Sequence, residues 1–319
     1  MKEDFKLAIK IRAVEEGFLE MFSKGLLNGT VHTCIGQELS AVGITKYLNN
    51  NDYVFSNHRC HGHYISFTKK YKNLIDELMG KASGICGGIG GSQHIASDNF
   101  FSNGPQGSLT PVALGVAEAL KRKKNNSVAT CFIGDGTMGE GIVYESLNLM
   151  SLYNLPMVMI CENNAYAQST HIKDNLSGSI SFRASAFGIN VYEVNTWDYE
   201  ELIKFSEQAI SNARNNIPSF IHVHTYRLKA HSKGDDDRDL DEIKKYEGKD
   251  IIQNLILNNG KYSEYYNKIK NDIKIYVDTA IDKHQMEIDE YVESHDFRTN
   301  FEYSSHNPNI EKKQSKLIN

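Results

Sequence analysis

Apolar positions along this chain follow two periodicities in turn. Phe5 to Lys24 carries Leu7, Ile11, Val14, Phe18 and Phe22 at three- and four-residue spacing, which predicts an amphipathic helix closed by Gly25. Tyr53 begins a short strand-like run, and Pro111 to Arg122 reads as a helix with proline in its first turn. Val128 to Ile133 is an apolar, β-branched run that stops at Gly134-Asp135-Gly136, and a helical pattern follows from about Gly139 to Tyr153. Pro156 opens a second apolar run, Met157 to Cys161, ending at Glu162-Asn163-Asn164. Unbroken apolar runs of this length predict strands covered on both faces of a parallel sheet. Tyr166 to Gly178 is polar, and no strand is expected there. Phe182 to Phe187 predicts a helix and Ile189 to Val194 a strand. Tyr199 to Ala213 predicts a helix with Leu202, Ile203, Phe205 and Ala209 inward. Ser219 to Tyr226 alternates apolar and polar residues, as a strand covered on one side does. Strands alternating with helices predict an α/β fold, a doubly wound, mostly parallel sheet with helices on both faces. The expected division is an α/β domain over residues 1–248, then a C-terminal helical extension and polar tail over 249–319.

The unit from Ser127 to Tyr166 carries the clearest chemistry. Two parallel strands joined by a right-handed crossover end on the same edge, where ligands of open α/β sheets bind. Asp135 and Asn164, twenty-nine residues apart, are therefore expected to face one crevice. Two readings compete. Gly134-x-Gly136-x-x-Gly139, with Glu162 ending the next strand, fits a dinucleotide fingerprint. Yet a carboxylate at the tip of the turn repels phosphate unless a divalent cation lies between them. Mg²⁺ or Ca²⁺ takes hard oxygen ligands, and Asp135, Asn164 and a carbonyl just beyond Asn164 would supply them.

Composition narrows the class. The 319 residues, 40% hydrophobic, can bury one large core. A formal charge of −5 and a pI near 6.2 favour neither nucleic acid nor a membrane surface as partner. Five scattered cysteines without CxxC spacing fit reduced thiols in a cytoplasm. The first residues, MKEDFKLAIK, lack the apolar centre of a signal peptide, and no run approaches the ~20 residues of a membrane span.

Other segments are ambiguous on their own residues. His32 reads as a loop histidine satisfied by backbone groups. His58, His61 and His63 have zinc-like spacing, but no carboxylate or thiolate pair completes a site. The six glycines between Gly80 and Gly91 suggest mobility or close backbone approach to a ligand. His222 and His224 share a strand face as ordinary polar residues. Tyr226 to Ile243 reads as a solvated charged loop in which Asp235-Asp236-Asp237 mimics a metal cluster.

GDG followed about thirty residues later by ENN resembles the thiamine diphosphate motif. From about Ile11 to Ile243 the chain is similar to the α subunit of the decarboxylase component of 2-oxo acid dehydrogenases, of the pyruvate, branched-chain and acetoin types. The resemblance implies a thiamine diphosphate-binding fold with thiamine diphosphate and Mg²⁺ as cofactors. Asp135, Asn164 and the carbonyl of Tyr166 would be the metal ligands, with Gly136 and Thr137 beside them. It places Arg59 and His58 on the diphosphate; His58 stands where tyrosine is usual, and its charge is expected to vary near neutral pH. GGSQH (Gly90 to His94) matches the segment leading to the cofactor pocket, with Ala96 just after it. Asn103 to Gly107 matches the turn whose backbone, at Gly104 and Gln106, meets the aminopyrimidine ring; Gln106 replaces a usual aliphatic residue. The expected catalytic residues are His32 at the substrate, His61 in the Arg-x-His-Gly stretch, and His231 in a loop resembling Y-R-x-x-G-H-S-x-x-D-x-x-x-R. Ala230 replaces the glycine of that loop, and Ser232 matches a serine phosphorylated in mitochondrial relatives.

The implied activity is decarboxylation of a 2-oxo acid with transfer of the acyl unit to a lipoyl acyltransferase. The family draws its activating glutamate from a separate β subunit, so an α₂β₂ heterotetramer is expected. The alternatives are a same-fold subunit serving a non-lipoyl acceptor in a biosynthetic pathway, and a nicotinamide dehydrogenase.

Overall fold

The computed structural model describes residues 1–294 except Asn28, Lys233 and Asp235. Its strands, in chain order, are β1 (Tyr53–Ser56), β2 (Ala96–Ser97), β3 (Phe100–Ser102), β4 (Ala129–Gly134), β5 (Met157–Asn163), β6 (Tyr166–Ala167), β7 (Thr170–His171), β8 (Asn190–Asn195) and β9 (Ser219–His224). The main sheet runs β2-β3-β1-β4-β5-β9-β8, parallel throughout except where β2 meets β3. The two apolar runs become the central strands β4 and β5, in register from Ala129↔Met157 to Gly134↔Glu162.

Strict alternation sends their side chains into two cores. Phe132, Val158, Ile160, Ile221 and Val223 pack with the helices Glu3–Ser23, Glu38–Thr45, Tyr199–Arg214 and Gly260–Ala280. Cys131, Ile133, Met157, Met159 and Phe220 pack on the other face with Leu109–Lys123, Gly141–Leu152 and Ile180–Ser185. Helices on both faces explain why β4 and β5 carry no polar alternation. Gly25, at φ +69°, turns the chain out of the first helix as its position suggested.

Topology then sets the site. From β1 the chain moves outward to β2 and β3, and returns to β4 on the other side of β1. At such a reversal the carboxyl ends of adjacent strands leave a crevice. His58 and Arg59 follow β1, Asp135 follows β4 and Asn164 follows β5.

Two segments differ from expectation. The stretch after Asn164 holds a small ribbon, β6 paired antiparallel with β7, and a short helix, Ile172–Asn175. Its bends use Ala165 and Gln168 at φ +69° and +58°, left-handed positions that no glycine marks in the sequence. The other is β9, an interior strand between β5 and β8 rather than one with a wet face. Its His222 is bonded internally, taking the Asn163 amide on Nε2 and meeting Ser181 Oγ through Nδ1, at 3.0 and 2.9 Å, while His224 at the strand's end stays partly exposed.

The C-terminal helices Ile251–Asn258 and Gly260–Ala280 join the first core through Ile252, Ile256, Ile269 and Ile273. The polar tail lies outside the described residues. No described helix is long and apolar enough to cross a membrane.

Candidate active site

At the carboxyl edge of the sheet opens a cavity of about 410 Å³, and every expected site residue lines it except His61 and Ala96. Asp135 begins a single 3-10 turn, Asp135–Gly139, directly after β4. Its side chain is 2% exposed. Its own N–H and that of Asn164 hydrogen-bond the carboxylate, but among the described residues Oδ2 is buried without a partner. Burial outweighs those bonds and raises the pKa to about 6. Asn164 Oδ1 accepts the Tyr166 N–H at 3.1 Å, which folds the chain back so that Asn164 and Tyr166 face the same space. A side chain at Gly136 would place its Cβ 2.7 Å from Ala167 Cβ, so the turn and the ribbon beyond Asn164 approach as closely as glycine permits.

Arg227 acts on this carboxylate and lowers its pKa, and Arg59 lines the same cavity. Arg59 is buried; its Nη1 donates to the Thr33 carbonyl and its Nη2 lies 3.4 Å from His231 Nδ1. Arg227 is only 2% exposed: Nη2 donates to the Gln168 carbonyl at 2.9 Å, while Nε and Nη1 are buried with no partner among the described residues. Burial, then Arg59 and Arg238, bring its pKa down to about 10, so it remains charged at neutral pH. A buried carboxylate oxygen and a buried guanidinium, each short of partners, are a matched need. A divalent cation satisfies the first, and phosphate oxygens satisfy both the cation and the second.

His32, His58 and His231 form one cluster, with ring centroids 4.9, 4.9 and 5.4 Å apart. The His231 segment is held from behind by Arg238, which donates to the carbonyls of Arg227 and Lys229 and pairs with Asp236. Asp236 is thus taken by an arginine rather than a metal, and Asp235 lies outside the described residues. Burial, then Arg59, push the His58 pKa well below the ordinary histidine value. His58 is therefore neutral around pH 7, and its charge does not vary there as expected from sequence.

His61 is fully buried away from the cavity: Nδ1 faces Glu15 and Nε2 faces Ser92, all within 3.0–3.2 Å. With both nitrogens engaged it supports the Arg59 segment from behind and has no path to a substrate. His63 turns to Ser56 and Glu162, so His58, His61 and His63 do not converge on zinc. Ala96 sits exposed on edge strand β2, its N–H directed to Cys86 Sγ. The His222–His224 pair adjoins Glu193. However, the Asn163 amide on His222 Nε2 leaves the hydrogen on Nδ1, where a metal would need a lone pair. Glu162 is buried against Ser40 and His63, so it offers no free carboxylate to a ribose.

Residue-level reading passed over Arg227, Gln37 and Gln93. Gln37 meets the Asn164 amide at 3.4 Å, and Gln93 meets His32 Nδ1 at 3.4 Å. Gln93 lies in the GGSQH stretch and Arg227 in the loop that resembles Y-R-x-x-G-H-S, and burial and unpaired atoms then mark Arg227 out.

The sequence model of the dehydrogenase E1 component family matches residues 7–291, further than the similarity expected over 11–243. The α subunit of an acetoin:2,6-dichlorophenolindophenol oxidoreductase of Bacillus subtilis (strain 168) is 37% identical over 257 residues, covering 78% of this chain and 77% of that protein. A pyruvate dehydrogenase E1 component α subunit of Rickettsia bellii (strain RML369-C) is 32% identical, covering 88% of this chain and 89% of that protein. One of Porphyra purpurea is 33% identical, covering 88% of each. With a family model matching most of the chain and these α subunits aligned over most of its length, the chain belongs to the dehydrogenase E1 component family.

Proposed function

We propose that this chain is the α subunit of a thiamine diphosphate- and Mg²⁺-dependent 2-oxo acid dehydrogenase that passes its acyl unit to a lipoyl acceptor. The observation that carries the proposal is Asp135 Oδ2, buried and unpartnered at the end of β4 beside Asn164 and Tyr166. Asp135, Asn164 and the Tyr166 carbonyl hold Mg²⁺. Arg59, Arg227 and His58 face the diphosphate, and Gly136 and Thr137 let the turn approach it. Gly104 and Gln106 meet the aminopyrimidine end. When bound, thiamine diphosphate supplies the electron sink for loss of CO₂ from a 2-oxo acid. His32 orients the substrate carboxylate, and His231 moves protons and guides transfer to the acceptor.

The proposal includes a β subunit that contributes the activating glutamate, an α₂β₂ assembly and a cytoplasmic setting. Purified alone, the chain shows no decarboxylation, and mixing with the β subunit restores it. Turnover by the isolated chain would remove the partner from the proposal. Thiamine diphosphate binds in calorimetry only with Mg²⁺, and NAD does not bind.

A second reading follows from the Bacillus relative, which is more similar than the two pyruvate dehydrogenase relatives above: a C–C-cleaving subunit acting on acetoin. Parallel assays of the α–β complex with 2-oxo acids and acetoin, each with a lipoyl domain and with an artificial dye, separate these substrates and acceptors.

Gly136→Ala tests the close approach. A Cβ 2.7 Å from Ala167 must displace the turn or the ribbon, and overpacking of this kind costs about 1–3 kcal/mol. The expected result is about a ten- to hundredfold rise in the Kd for thiamine diphosphate at saturating Mg²⁺.

A further inference from the structure

His58 and Gln106, two of the positions where the chain departs from the family pattern, touch each other, and the contact has a fixed polarity. Gln106 Nε2 lies 3.0 Å from the carbonyl oxygen of Gly104, an atom that accepts and never donates. This end of the side chain is therefore the NH₂ group. Its other end, Oε1, receives the hydroxyl of Thr137 at 2.8 Å. The second amide hydrogen is left for His58 Nδ1, 2.6 Å away. A ring nitrogen that accepts carries no hydrogen, so the neutral imidazole bears its hydrogen on Nε2. That N–H is buried and has no acceptor among the described residues.

The arrangement selects the class of ligand. His32, His58 and His231 bring one ring nitrogen each within 4.8 Å, a spacing that suits a metal. His58, however, has its one lone pair occupied by Gln106, and Arg59 reaches into the cluster beside His231. A cation is disfavoured on both counts; an anionic oxygen facing Nε2–H is favoured.

We propose that Gln106 is a positioning residue: held by Thr137 and Gly104, it fixes His58 as the Nε2–H tautomer, which donates to an oxygen of the bound diphosphate. The identity of that anion rests on the function proposed above; the tautomer does not. Protonating His58 would set an Nδ1–H against the amide N–H, so Gln106 acts with Arg59, His32, His231 and Arg227 to keep the ring neutral. The resemblance puts tyrosine at position 58 and an aliphatic residue at 106, and a phenol needs no such control. The two departures are thus one device.

Two measurements test it. In the full chain labelled with ¹⁵N-histidine, long-range ¹⁵N–¹H spectra assign His58, by its loss in His58→Tyr, as Nε2–H. In Gln106→Val the Nδ1–H form appears. A wild-type Nδ1–H signal overturns the proposal, and this readout needs no cofactor. In the α–β complex with saturating Mg²⁺, Gln106→Val raises the Kd for thiamine diphosphate about tenfold in the His58 background and less than about twofold in the His58→Tyr background. Equal losses in both backgrounds would show that Gln106 acts only on its own turn, and no loss in either would remove its role. Absence of thiamine diphosphate binding by the wild-type complex would overturn the proposed function while leaving the tautomer result standing.

Discussion

Asp135→Asn abolishes Mg²⁺-dependent capture of thiamine diphosphate while making the metal-free protein more stable. The asparagine keeps the shape of the side chain and can still accept the N–H of Asn164, but it loses the charge that lets a cation sit against the turn. Changes to groups merely orienting a metal ligand cost 10- to 100-fold in affinity, so loss of the carboxylate ligand itself is expected to cost at least about 100-fold. Calorimetry with Mg²⁺ and the cofactor measures it. The stability effect has the opposite sign. Burial raises Asp135 from an ordinary 3.8 to about 6, so the folded metal-free protein prefers the protonated form. The stability this provides is complete below pH 3.8 and is lost as the pH rises through 6, by up to about 3 kcal/mol. In EDTA at pH 7 the variant therefore melts above the wild type, and the gap narrows towards pH 4. Adding Mg²⁺ and cofactor reverses the order, because only the wild type gains from binding. A variant that binds both as tightly as the wild type would remove Asp135 from the metal site.

Arg12→Ala is the second large effect, on the fold rather than the ligand. Arg12 is 2% exposed. Its Nε and Nη2 meet the Glu38 carboxylate, and its Nη1 meets Asp250 Oδ2 at 2.8 Å. Asp250 Oδ1 in turn caps the helix Ile251–Asn258 through the N–H groups of Ile252 and Gln253. One guanidinium thus joins the first helix, the helix after the His32 loop, and the start of the C-terminal helices. Removing it strands two buried carboxylates, at about 3–5 kcal/mol, a large share of the ~5–15 kcal/mol that holds a typical domain folded. Urea unfolding should show that loss as an earlier midpoint, with residues 251–280 first to lose protection in hydrogen exchange. Arg122→Ala is the control: its pair with Glu118 is exposed, and its removal should change stability by less than about 1 kcal/mol. Equal effects at the two arginines would refute the clamp.

The sequence by itself determined the strand–helix–strand unit, the parallel sheet and the meeting of Asp135 with Asn164. These depend on local apolar runs and on a crossover whose length and hand leave little choice. Nearly all of the site residues it named line the cavity, because the turns that carry them are contiguous motifs. Tertiary structure decided the rest. His61 is excluded because Glu15 and Ser92, far off in the chain, occupy both its nitrogens. Arg227 acts on Asp135 from outside the cavity lining, and burial leaves its Nε and Nη1 without partners among the described residues. The polar alternation of β9 does not mean solvent, because Asn163 and Ser181 satisfy His222 inside the sheet. The neutral charge of His58 follows from burial and from Arg59, His32, His231 and Arg227 gathered around it, and the tautomer proposed for it rests on the contact with Gln106. Periodicity and spacing record which way a residue faces; its protonation and pairing depend on what the fold sets against it.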